Sequence, residues 1–249
     1  MVRGGMRRVP RAPFRFVLPV RPLRAFFRFW LSVLAAGPDT RRAARNLLIA
    51  YDDVYRQLDQ AAIRYDDGVH AKHRLTAYHD FFVDRVRPGE RVLDIGCGKG
   101  ELAHDLVVRA GATVVGIDSN PHHLAFARSH FVGEGIEFRE GDAVEELPEG
   151  HFDAVVLSNV LEHLDGRVEL LRRIVASARP QRVLFRVPVL ARDWTVPLRR
   201  EVGLPYYWEP DHRIEYDPEG FRAELAEAGL RVTELDVVWG EIWAAAEPA

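Results

Sequence analysis

The chain holds little sulfur, no long apolar run and almost no acid in its first fifty residues. One of its 249 residues is cysteine and two are methionine. Without a second thiol, Cys97 forms no internal disulfide, which suits a reducing compartment and excludes a disulfide-stapled scaffold. No apolar stretch approaches the ~20 residues of a membrane span. No internal repeat or low-complexity array is visible. In residues 1–50 Asp39 is the single acid against eleven arginines, so the net charge of −3 divides into +10 there and −13 in the remaining 199 residues. An acidic main body argues against binding long nucleic acids, although the basic arm keeps that option. The rest of the composition, 47% hydrophobic and 29% charged, is that of an ordinary globular chain: one large domain with a small extension.

Residues 92–100 read Val-Leu-Asp-Ile-Gly-Cys-Gly-Lys-Gly, an apolar strand carrying Asp94 and followed by glycines at 96, 98 and 100. A loop that leaves a buried strand and lies against a ligand needs positive φ and no Cβ, which Gly96, Gly98 and Gly100 supply. Dinucleotide folds place a third glycine three positions after the second. Here that position is Glu101, whose carboxylate repels a pyrophosphate and occupies the positive end of the next helix. NAD and FAD are thereby disfavoured.

The segment resembles motif I of the class I S-adenosylmethionine-dependent methyltransferases, and later motifs agree in order and spacing from about residue 70 to 247. That resemblance implies a Rossmann-like α/β fold: a seven-stranded, mostly parallel sheet with an antiparallel last strand, helices on both faces, and S-adenosyl-L-methionine as cofactor. Strand 114–118 ends in Asp118, expected at the ribose hydroxyls with Ser119 beside it. After strand 136–139, Asp142 and the N–H of Ala143 match the adenine contacts. A fourth strand, 152–157, leads into Ser158-Asn159-Val160-Leu161-Glu162-His163-Leu164, which is similar to the segment flanking the methionine part of the cofactor and places Asn159 there. Cys97 is expected in the glycine loop as a small residue. At the start of a helix predicted over 71–86, His70, Lys72, His73 and Arg74 cluster; Lys72 is expected at the cofactor's carboxylate, with a solvated basic patch as the alternative.

Residues 1–40 form a basic arm, mobile over 1–20, with a helix over 22–36 that carries Arg21, Arg24, Arg28 and Ser32 on one narrow face and Phe26, Phe27, Phe29, Trp30, Leu31, Val33 and Leu34 around the rest. Docking on the domain or on a second copy, and peripheral contact with an anionic inner membrane face through residues 1–36, are both open; a signal peptide is a weaker third reading because Arg28 interrupts its apolar stretch. The methyltransferase domain is expected over 41–249. Its helical lead-in, 41–88, starts with Asp39 capping a helix to about Ala62, on which Leu47, Leu48, Tyr51, Val54, Tyr55, Leu58 and Ala62 form a core stripe. The residues 65–68 then turn the chain. A helix over 167–178, a strand over 182–187, a helix opened by Asp217 and Pro218, and a hairpin of strands 232–238 and 241–246 complete the pattern.

The stretch 188–216 is far longer than the roughly 2–6 residues usual for such a connection, and it leaves the carboxyl edge of the sheet. It is read as a lid over the acceptor, containing Trp194, Tyr206, Tyr207, Trp208, Asp211 and His212. Methyl transfer from a sulfonium needs chiefly an aligned nucleophile with water excluded, plus a base where the acceptor is a hydroxyl or protonated amine. His163 and His212 are the candidate catalytic residues, with Asp211 or Glu215 orienting His212; packing roles are the alternative for both. No metal is assigned. A metal-assisted variant comes from likeness to the ExxEH stretch of ubiquinone-type O-methyltransferases and small-RNA 2′-O-methyltransferases, with Asn159 replacing the first acid, Asn159, Glu162 and His163 on one helical face, and His212 as a fourth ligand.

The function expected is methylation of an O or N atom in a small-molecule or glycan-like acceptor by a cytoplasmic enzyme. The rivals are an RNA methyltransferase that uses the basic arm and a non-catalytic cofactor-binding regulator. Oligomeric state is left open.

Overall fold

The computed structural model describes residues 20–66, 70–131 and 133–249. The expectation of a mobile segment over 1–20 falls almost wholly outside them, as does part of the predicted turn at 65–68. The chain divides into two compact units, 1–55 and 56–249.

In the first unit α1 (Val20–Ala35) precedes α2 (Thr40–Tyr65), and the unit boundary falls within α2. Asp39 caps α2 as expected, its Oδ1 accepting the Arg42 N–H at 2.9 Å. Phe27 and Leu31 of α1 line one shallow apolar cavity with Leu47, Ala50, Tyr51 and Val54 of α2. The predicted core stripe is corrected here: Leu48 is buried, but Leu47, Tyr51, Val54, Tyr55 and Leu58 are exposed. Periodicity reports that a face is apolar, not that anything covers it. No helix among the described residues is long and apolar enough to cross a membrane.

The second unit continues with α3 (Lys72–Thr76) and α4 (Tyr78–Val83), then alternates: β1 (Arg91–Ile95), α5 (Glu101–Val108), β2 (Thr113–Asp118), α6 (Pro121–His130), β3 (Ile136–Glu140), β4 (Ala154–Ser158), α7 (Arg167–Ala178), β5 (Arg182–Pro188), α8 (Thr195–Glu201), α9 (Pro218–Glu227), β6 (Leu230–Val238) and β7 (Glu241–Pro248). The helix predicted over 71–86 is broken at Ala77, which sits at φ 51°. Lys72, Arg74 and Leu75 of α3 stay exposed while Tyr78, Phe81 and Phe82 of α4 are buried.

The seven strands lie in the order β3-β2-β1-β4-β5-β7-β6, parallel up to β5 and antiparallel at β7 and β6. β1, β4 and β5 are buried on both faces because helices cover both. One core layer gathers Leu93, Ile95, Leu157 and Phe185 against α7 and α9; the other gathers Val92, Val156 and Leu184 against α4 and α5. Alternation along β1 and β5 therefore turns Asp94 and Arg186 to the α4 and α5 side. The carboxyl ends of β1, β2 and β4 collect the candidate residues at one edge.

Candidate active site at the carboxyl edge of the sheet

After Ile95 the main chain passes through positive φ at Gly96, Gly98 and Gly100. A Cβ on Gly100 would stand 2.7 Å from Phe138 Cζ, so close packing requires glycine there; a Cβ on Gly98 would meet nothing within 4 Å, on the open side of the loop. Asp118 fixes the loop. Its Oδ2 accepts the Gly98 N–H and its Oδ1 the Asn120 N–H, each at 2.8 Å. Its main-chain carbonyl accepts the Gly141 N–H at 3.1 Å, drawing the segment before Asp142 to the same edge. Asp142 is exposed, with Oδ1 accepting the Val144 N–H at 2.8 Å, and Ala143 is buried behind it.

Cys97 is buried against the sheet. A Cβ on Gly116 would lie 2.9 Å from its sulfur, so the thiol occupies the space that glycine leaves. Burial above all, then the charges of Asp94 and Asp118, raises its pKa and keeps it a thiol. Asp94 is 2% exposed, and its Oδ2 has no hydrogen-bond partner. Burial, then the Asp118 charge, pushes its pKa up to about 8. Ser119 and Lys72 are exposed, Lys72 on α3.

At the end of β4, Asn159 adopts φ 56° and its side-chain oxygen is buried without a partner. A 3₁₀ turn, Leu161–His163, follows where an α-helix was expected. The shared helical face of Asn159, Glu162 and His163 is therefore corrected: Asn159 precedes the turn, and the third member of the cluster comes from the lid. Ligand atoms of Glu162, His163 and His212 lie within 4.8 Å of one another. Glu162 is fully buried, both carboxylate oxygens lack partners, and burial pushes its pKa up to about 8. The main chain delivers His212 here, since the Arg213 N–H donates to the Glu162 carbonyl at 2.6 Å.

The two imidazoles meet edge to face at 4.8 Å. The His163 Nδ1 pairs with Asp211 at 3.1 Å and the His212 Nδ1 with Glu215 at 3.0 Å, so the two acids that sequence alone left open for His212 serve one histidine each.

Sequence reasoning missed Arg186 and Tyr78. Arg186 is buried, forms a two-pronged ion pair with Glu241 and lies 3.9 Å over the Tyr78 ring. Tyr78 in turn meets the His73 Nδ1 at 3.1 Å. Burial, with nearby cationic and imidazole groups, lowers the His73 pKa to about 4, so its neutral ring accepts from the Tyr78 hydroxyl. The available signal was an arginine between apolar residues inside the strand 182–187, beyond the Arg182 that opens it.

A sheet in this order, a glycine loop after its central strand and acids closing the next two strands define the class I S-adenosylmethionine-dependent methyltransferase fold. The chain belongs to the methyltransferase domain family whose model matches residues 68–235, a family of enzymes that use S-adenosyl-L-methionine. It is 34% identical over 166 residues to the ubiquinone biosynthesis O-methyltransferase of Azorhizobium caulinodans, covering 63% of this chain and 65% of that one. The protein of the same name from Hahella chejuensis is 38% identical over 166 residues, 64% of this chain and 68% of its own. The chain thus spans about two thirds of these relatives, slightly less for the first. Among solved structures the DhpI–SAH complex aligns with a TM-score of 0.55 over 77% of this chain and 93% of that one, at 22% identity, a likeness of fold.

Proposed function

We propose that the chain moves the methyl group of S-adenosylmethionine to a hydroxyl oxygen of a small-molecule acceptor. The observation that carries this reading is the Glu162–His163–His212 cluster, in which the buried Glu162 and His212 offer unsatisfied acceptor atoms where the 188–216 lid meets the cofactor strand. The relatives, ubiquinone biosynthesis O-methyltransferases, favour O-methylation of a small molecule over RNA or glycan methylation and over a silent regulator. The cofactor fits the residues present. The open side of the loop at Gly98 admits its adenosyl part, Asp118 and Asp142 with the Ala143 N–H take the ribose and adenine, and the unpartnered Asp94 carboxylate suits its cationic methionine end. Asn159 flanks that end. Gly96, Gly100 and Cys97 shape the loop, Ser119 adjoins the ribose, and Lys72 on α3 meets the carboxylate.

In the transfer the S–CH₃ bond breaks as the O–CH₃ bond forms, and the hydroxyl proton leaves to a base. The site has to hold the oxygen in line about 3 Å from the carbon with water excluded. His212 suits the base role, because Nδ1 donates to Glu215 and leaves Nε2 as a buried, unpartnered acceptor. His163, oriented by Asp211, stands beside it. A second reading is favoured by the two unpaired Glu162 oxygens: Glu162, His163 and His212 would hold a divalent cation, a mixed oxygen–nitrogen set that such ions accept. The ion would acidify the acceptor hydroxyl. Incubation with labelled S-adenosylmethionine and a panel of phenols and catechols should yield a product heavier by one CH₂ and S-adenosylhomocysteine. Methylation of amines or RNA alone would overturn the reading.

The first unit supports a further part of the proposal, peripheral contact with an anionic membrane surface. Phe26, Phe29 and Trp30 of α1 are exposed, and so are Arg21, Arg24 and Arg28 on the same helix. That combination suits a helix lying in the headgroup layer.

A further inference from the structure

We infer that Glu215 is a positioning residue that selects the tautomer of His212 and makes its orientation depend on a seated lid; this rests on the methyl-transfer reading above. Its carboxylate is wholly buried, and three groups converge on it. The His212 Nδ1 meets Oε1 at 3.0 Å, the Trp208 main-chain N–H donates to the same oxygen, and the Arg192 guanidinium donates to Oε2. Arg192 also donates to the Tyr206 carbonyl at 2.9 Å and lies 5.1 Å over the Trp208 ring. The start, the middle and the end of the lid thus share one carboxylate. The ends are tied as well, by a bridge between Val189 and Tyr216 and by the Leu190 N–H on the Tyr216 carbonyl at 2.8 Å.

An ionised carboxylate only accepts hydrogen bonds, so the His212 proton must sit on Nδ1 and the Nε2 lone pair faces the cluster. With the opposite tautomer, Nε2–H would point at the cluster and neither take a proton nor bind a cation. The same carboxylate holds Trp208 and Arg192. Arg192, Trp208, His212 and Glu215 all belong to the 188–216 stretch, so a lid whose two arms come apart strips Glu215 of two partners, and the acid then no longer fixes the ring. Asp211 plays the corresponding part for His163 more weakly, because its side chain is 69% exposed and its pairing is screened by solvent.

The test uses the full chain after dialysis against chelator, with ¹⁵N-labelled histidine and bound S-adenosylhomocysteine. Wild type and Glu215→Gln, whose amide oxygen still accepts from Nδ1, should show the Nδ1–H tautomer of His212. Glu215→Ala should show a mixture. With a catechol as methyl acceptor, kcat should fall about 10–100-fold in Glu215→Ala and less in Glu215→Gln, with the S-adenosylhomocysteine dissociation constant held within about twofold. An unchanged tautomer in Glu215→Ala, or a kcat loss matched by lost cofactor affinity, would overturn the inference. Should the alanine variant not fold, Glu215→Asp, which keeps the charge but withdraws it, is expected to lose more kcat than Glu215→Gln; the reverse order refutes placement. If wild type methylates no hydroxyl, the function fails alone, while the tautomer still reports on Glu215.

Discussion

Asp118, at the end of β2, accepts the Gly98 N–H at 2.8 Å, so one carboxylate both holds the glycine loop and faces the place proposed for the ribose. Asp118→Ala removes the loop's hydrogen-bond acceptor and a partner for buried hydroxyls together. Calorimetric titration with S-adenosylhomocysteine should show binding weakened by about 1–3 kcal/mol. Asp118→Asn keeps an acceptor oxygen and should lose less. Equal affinity in wild type and the alanine variant would show that the ribose is held elsewhere.

Two glycines of that loop should fail in different ways when changed to alanine. At Gly100, φ is 86° and the new Cβ would sit 2.7 Å from the Phe138 ring, so thermal unfolding should reveal a loss of at least about 1–3 kcal/mol from overpacking, before backbone strain is added. At Gly98, φ is 55° and the Cβ would meet no protein atom, leaving only the left-handed backbone penalty of about 1–2 kcal/mol. Gly98→Ala should therefore fold yet bind S-adenosylhomocysteine poorly. Near-normal binding by that variant would mean the cofactor does not lie against the loop.

Asp94 and Glu162 give the ligand-free chain a pH signature. Burial raises both pKa values to about 8, so from the ordinary carboxylate range up to pH 8 the folded chain retains protons that the unfolded chain has released. Their contribution is fully present at low pH and is lost as pH rises toward 8. His73, lowered to about 4, acts oppositely, but only up to the ordinary histidine range near 6.5. Asp105, lowered chiefly by its hydrogen bond to His79, is ionised throughout. Between pH 6.5 and 8 the melting temperature should accordingly fall, and Asp94→Asn should flatten the fall. A cationic cofactor end re-ionises Asp94, so binding near pH 7 should release a proton, seen as a buffer-dependent calorimetric enthalpy that Asp94→Asn abolishes.

These features differ in how far the sequence shows them. The loop at 96–100 and the acids at 118 and 142 are legible because few residue types satisfy positive φ and close approach, and each sits at a strand end that apolar runs mark. The strand order follows from the family pattern, and the helix over 167–178 appears with the expected bounds. The lid differs: whether His212 pairs with Asp211 or Glu215 depends on how a long segment folds back, and local spacing fits both. The break at Ala77 was hidden because no glycine or proline marks it. Arg186 stood in plain view, but its partner Glu241 lies on a neighbouring antiparallel strand, and only the register of β5 with β7 brings the two together.

The three-donor cluster makes a prediction that needs no acceptor. If Glu162, His163 and His212 hold a divalent cation, millimolar magnesium or manganese should raise the melting temperature. A ligand at a hundredfold its dissociation constant stabilises by about 2.7 kcal/mol. Glu162→Gln removes the only carboxylate of the set and should abolish the shift while leaving S-adenosylhomocysteine affinity unchanged. An equal shift in the variant would place the ion elsewhere; no shift in wild type would leave His212 as base without a metal.

Membrane contact by the first unit should show both halves of its chemistry. Vesicles containing phosphatidylglycerol should sediment the chain, and neutral phosphatidylcholine vesicles should do so much less, because the arginines of α1 answer to anionic headgroups. Moderate salt should release much of the bound protein, since screening shortens the reach of exposed charges. The aromatic half is separable: Trp30→Glu, at a position 49% exposed in the free chain, should cost little stability yet abolish sedimentation, and the loss should persist at low salt. Fluorescence of the remaining tryptophans then serves as the folding control. If wild type ignores both vesicle types and light scattering shows a dimer that Trp30→Glu splits, the apolar face of α1 belongs to a second copy of the chain and the membrane proposal fails.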